Sequence, residues 1–92
     1  MTEEQKAFFN ELSAIQHIAV NVALSKKDSY KKTEDMLKDV TDETIYRLME
    51  LLDGYRNEAI KCSLVNTKTG NILNENIEMH DLCVDFLDSA DI

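Results

Sequence analysis

"AIKCSLVNTKTGNIL", residues 59–73, decides the fold class. Ile60, Cys62 and Leu64 alternate with Lys61 and Ser63, the period-two pattern of a half-buried strand. Gly70 in "NTKTGN" suits the left-handed position of a short hairpin loop, and Ile72 and Leu73 begin a return strand. The segment therefore reads as a β-hairpin in a chain whose other apolar residues are spaced for helices. A lone two-stranded hairpin is marginal in water, so it is expected to lie against helices. Its free edge is then available to extend a sheet across a dimer.

Upstream, the first helix is the clearest element. Thr2 is placed to cap it, with Gln5 three positions later as in a capping box. Phe8, Leu12, Ile15, Ala19 and Val22 fall within about 60° of one stripe at ~100° per residue. Phe9, Val20 and Leu24 form a second line on its shoulder. An apolar surface wider than one stripe must be covered by another helix or another subunit, so these three residues are the expected dimer interface. Ser25 to Lys32 reads as a polar connector carrying four lysines. A short helix from Thr33 to Val40 is expected, with Met36, Leu37 and Val40 inward. Thr41 then caps a third helix with Asp42 and Glu43 in its first turn. Ile45, Leu48, Met49 and Leu52 form its stripe, and Gly54 stops it. A last helix is expected from about Ile77 to Ala90, with Met79, Cys83, Phe86 and Ala90 inward. The order is α-α-α-β-β-α, an α+β fold in one domain spanning residues 1–92.

Composition narrows function. Eighteen acidic residues against ten basic give a net charge of −8. Nucleic-acid binding and anionic membrane surfaces both call for basic surface, and this balance opposes them. Cys62 and Cys83 are too few for a disulfide framework, which suits a reduced cytoplasmic setting. The acidic start "MTEEQK" lacks the basic region of a signal peptide, and no apolar run reaches membrane-spanning length.

"HDLCVDFLD", residues 80–88, holds the most suggestive letters. On a helical wheel they separate. Cys83 falls on the apolar face as a small hydrophobe, and His80 falls on its border. Asp81 points about 100° away from His80 and is badly placed to orient it, and a histidine–aspartate catalytic pair would need a third, distant partner. His17 lies on the polar side of the first helix. Glu78, Asp81, Asp85 and Asp88, spaced 3, 4 and 3, form a carboxylate ridge. Residues 75–92 contain six acids and no Lys or Arg, a local charge of −6. Like charges one turn apart repel by a few tenths of a kcal/mol, roughly, so an unmixed ridge suits docking of a basic partner.

Zinc-spaced Cys/His sets, phosphate-binding glycine loops and nucleophile motifs are missing, and no cofactor is expected. Glu50 and Asp53 in "MELLDG" form E-x-x-D, which resembles half of the metal-binding signature of the MazG-like all-α nucleotide pyrophosphohydrolases. The resemblance covers four residues and implies Glu50 and Asp53 as metal ligands of a nucleotide hydrolase. The family's E-E-x-x-E half is not matched, because Ala7 follows Glu3 and Glu4. The function expected from the residues is a small acidic, non-enzymatic interaction module. It is dimeric and presents its acidic helix to a basic protein partner, as an inhibitor or immunity-type protein does by charge mimicry. The alternatives are the metal-dependent hydrolase and a small-molecule-binding domain.

Overall fold

The computed structural model describes residues 1–90, so Asp91 of the acidic segment lies outside the described residues. Helix α1 spans Glu3–Ser25, α2 spans Thr33–Asp53, and α3 is the single turn Met79–Leu82, continued by a 3-10 turn at Cys83–Asp85. There is no sheet among the described residues, so the α+β expectation is corrected to an all-helical fold.

Segment 59–73 shows why. The turn closes as its sequence suggests. Gly70 adopts φ 79°, the Asn66 carbonyl accepts from the Gly70 N–H at 2.7 Å, and Val65 and Ile72 form one antiparallel bridge. The ladder then stops. The Leu64 N–H donates to Asn74 Oδ1 at 2.9 Å, and Asn74 Nδ2 donates to the Cys62 carbonyl at 2.8 Å. An asparagine side chain thus takes the backbone groups that a further rung would use. The upstream limb is held elsewhere, since the Cys62 N–H donates to the Leu52 carbonyl at the end of α2. Alternation predicts burial correctly only at its start: Ile60 is buried, Cys62 half-buried, Leu64 exposed.

The expected second and third helices are one. Thr41 does not cap; its hydroxyl donates back to the Leu37 and Lys38 carbonyls, the mid-helix use of threonine. Pairs one turn apart, Lys38 with Glu34 and Arg47 with both Glu43 and Glu50, support the continuous helix. Leu37 is exposed, not inward. The fully buried position is Leu51, with Leu48 packed beside it. At the N-terminal end of the chain the capping box forms as expected, Thr2 and Gln5 each accepting the other's backbone N–H.

The core is small. Ile15, Leu51 and Ile60 are its buried centre, with Phe8, Leu12 and Cys62 packed against them. The α1 stripe therefore faces inward, as its spacing requires. Arg56 pairs with Glu11 at 3.4 Å and ties the segment after α2 to α1. The expected C-terminal helix is much shorter than 77–90. Phe86 is 88% exposed rather than inward, and the run of carboxylates offers no opposite charge to extend the helix. No helix among the described residues is long and apolar enough to cross a membrane.

Gly54 ends α2 with φ 93°, and the Tyr55 N–H reaches back to the Glu50 carbonyl at 2.9 Å. A Cβ at Gly54 would stand 3.1 Å from Lys61 Cβ. Gly54→Ala should therefore destabilise the chain by about 1–2 kcal/mol, through left-handed strain and crowding of Lys61. A lower urea midpoint at unchanged slope checks this; an unchanged midpoint would show that the turn relaxes freely.

Candidate functional site

The end of α2 and the start of α3 meet at one carboxylate. Asp53 occupies the last position of α2, where the helix dipole disfavours negative charge, yet its side chain is only 1% exposed. It is held there by donors from the distant segment. Asp53 Oδ2 accepts from the His80 backbone N–H at 2.9 Å and lies 2.6 Å from His80 Nδ1. Glu78, at the extended position before α3, brings Oε2 to 4.0 Å from the same ring nitrogen. On the other side of the ring, Nε2 faces Asp81 Oδ1 at 3.4 Å. Tyr55 packs edge-on against the imidazole at 4.8 Å and Tyr46 at 5.9 Å.

Electrostatics follows from this crowding. Burial pushes the Asp53 carboxyl up. The hydrogen bonds from the His80 backbone and ring and from the Met79 backbone pull it down and win, so Asp53 stays below the usual range. The bond to Asp53 raises His80; burial opposes, and the charges of Asp81, Asp53 and Glu78 add to the rise. Tyr55 is raised, first by the charge of Glu78. Cys83, whose Sγ lies 3.7 Å from the His80 carbonyl, is raised mainly by burial, which keeps it a thiol.

Asp53, Glu78 and His80 present one donor atom each within 4.8 Å of one another, the metal-competent group among the described residues. Asp53 and Glu78 also line an open cleft of about 700 Å³, shared with Lys61, Asn74 and Glu75.

The residues singled out in the sequence fall as follows. Glu50 and Asp53 do not act as a pair: Glu50 accepts from Arg47, and Asp53 is turned to His80. Asp53 lies off the Ile45–Leu52 stripe, a position that suggests solvent, yet it is buried. Glu78, Asp81, Asp85 and Asp88 are all exposed but do not share a helix face, because Glu78 precedes α3 and Asp88 follows the 3-10 turn. Phe9, Val20 and Leu24 stand 54%, 43% and 56% exposed along α1. His17 hydrogen-bonds to the Ser13 carbonyl of its own helix. The Asp53–His80 contact spans 27 positions, and local spacing carries no signal for it.

The pair makes stability bell-shaped in pH. His80, raised above 6.5, contributes fully below that value and loses its contribution as pH rises through the folded pKa. Asp53, lowered below 3.8, contributes above that value and loses its contribution as pH falls through the folded pKa. The staple is therefore strongest between those limits. Asp53→Asn should cost about 2 kcal/mol, the scale for unpairing a buried charged hydrogen bond. It should also flatten the alkaline limb above pH 6.5 in denaturation midpoints; a limb that persists in the variant would place the titration elsewhere. No protein-family model matches this chain, and neither a curated protein nor a solved structure is similar to it.

Proposed function

We propose that this chain is a non-enzymatic protein-interaction module that works as a homodimer through α1 and presents an acidic C-terminal segment to a basic protein partner. The observation that supports it is surface. The chain exposes 6689 Å², whereas a compact monomer of 10.5 kDa exposes about 5400 Å². Its radius of gyration is 15.0 Å, against about 12 Å for a compact chain of its length. The excess is of the order of the ~800 Å² that one partner contributes to a standard interface.

Part of that surface is apolar and continuous with α1. Phe9, Val20 and Leu24 recur at helical spacing outside the stripe that packs on α2. About half of each side chain is still open, so covering it is worth about 1 kcal/mol apiece, a favourable contribution to a small isologous interface. The acidic surface is separate. Asp85 and Asp88 are exposed, and no Lys or Arg follows Lys68, so the local field at this segment attracts a cationic partner.

Sedimentation velocity tests the dimer. The expected result is a species of twice 10.5 kDa at tens of micromolar, and a monomer for the double variant Phe9→Ser, Leu24→Ser with its helical circular dichroism retained. A parent chain that stays monomeric at several hundred micromolar would overturn the reading.

A further inference from the structure

We propose that Asp53, Glu78 and His80 form a binding site for a first-row divalent transition cation of the zinc class, with Asp81 as the residue that orients His80. The inference is independent of the interaction reading above, because the site lies at the junction of α2 and α3 and uses none of Phe9, Val20 or Leu24.

Its first support is the donor set. One imidazole nitrogen and two carboxylates converge from two segments, their donor atoms all within 4.8 Å. Zinc-class ions take such mixed nitrogen and oxygen donors at about 2.0–2.2 Å, which sets donor–donor separations near 3.4 Å in a tetrahedron. The Asp53–His80 separation of 2.6 Å opens to that value and the Glu78–His80 separation of 4.0 Å closes to it. Glu78, with 45% of its side chain exposed, has the freedom to make the adjustment.

The second support is the other ring nitrogen. Asp81 faces His80 Nε2 at 3.4 Å. An ion on Nδ1 would leave the ring proton on Nε2, the side that Asp81 faces. Without an ion the Nδ1–H donates to Asp53 Oδ2 at 2.6 Å, and the ion takes the place of that proton. A carboxylate behind a histidine is the outer-shell arrangement that fixes ligating imidazoles. Asp53 is likewise oriented from behind, by the His80 N–H at 2.9 Å and the Met79 backbone.

Charge balance is the third support. Asp53, Glu78 and Asp81 surround one imidazole, so even its protonated form leaves an excess of two negative charges, which Lys61 on the cleft wall only halves. A divalent ion offsets more of it than a proton does. The cleft of about 700 Å³ gives the ion entry and room for water at its remaining positions. The ion would clamp α3, a single turn, onto the end of α2, so the site is structural.

Titration calorimetry of the intact chain with Zn²⁺, and visible absorption with Co²⁺, test this. Expected are one ion per chain, a tetrahedral-type Co²⁺ band, and a raised melting temperature with Zn²⁺ but not with Mg²⁺. His80→Gln should abolish the band. Glu78→Gln, which alters an exposed side chain and leaves the Asp53–His80 bond in place, should weaken binding by about tenfold or more, and Asp81→Asn by a similar factor. Absence of stoichiometric Zn²⁺ binding to the parent chain would overturn the site and leave a proton between Asp53 and His80. Equal binding by Glu78→Gln and the parent would overturn it too, by showing that the ion sits on other carboxylates.

Discussion

A buried carboxylate at the wrong end of a helix is the constraint on which the C-terminal third of this chain depends. Asp53 closes α2, where the dipole is negative, and its side chain is withdrawn from water. Such a group persists only with close donors. The chain supplies them from 27 positions away, through the backbone and ring of His80. That demand places α3. A single helical turn has no stability of its own, and Met79, buried at 9% exposure, and the Asp53 contact are what dock it. The two tyrosines around the imidazole belong to the same arrangement, Tyr46 from α2 and Tyr55 from the turn after Gly54.

The same economy explains the irregular segment between α2 and α3. With no third strand to pair against, the hairpin suggested by residues 59–73 has little to gain from a ladder. Asn74 closes it after one bridge, and Cys62 bonds to the end of α2 instead. Leu64, Val65, Ile72 and Leu73 are left exposed on this segment, alongside the α1 shoulder. The chain is thus rich in apolar surface while its core is small.

Local patterns were legible where one helix face meets one core. The capping box at Thr2 and the Phe8–Val22 stripe were read correctly, because capping and 3.6-residue periodicity are local and act before tertiary contacts. Gly54 as the stop of α2 and Gly70 in its turn were legible for the same reason. Thr41 misled because a threonine that can cap can equally bond back to the preceding turn, and only the continuity of α2 distinguishes them. The wheel drawn through 77–90 misplaced Phe86 because it assumed a helix that ends after one turn. For the site, the wheel places Asp81 away from His80, whereas its Oδ1 faces Nε2 at 3.4 Å, and it places Cys83 inward, where it is half-buried. It missed Asp53, whose place off the α2 stripe suggested solvent.

Neighbours within a few positions set the first helix with its inward stripe, the stop at Gly54, the tight turn at Gly70 and the uneven distribution of charge. Tertiary structure decided the rest: that alternation at 59–65 yields a loop and not a sheet, that Asp53 is buried, and that His80 meets it rather than Asp81 alone. The physical reason is the same in each case. A strand needs a partner for its backbone groups and a buried carboxylate needs a donor, and which distant residue supplies either is fixed only when the chain is folded.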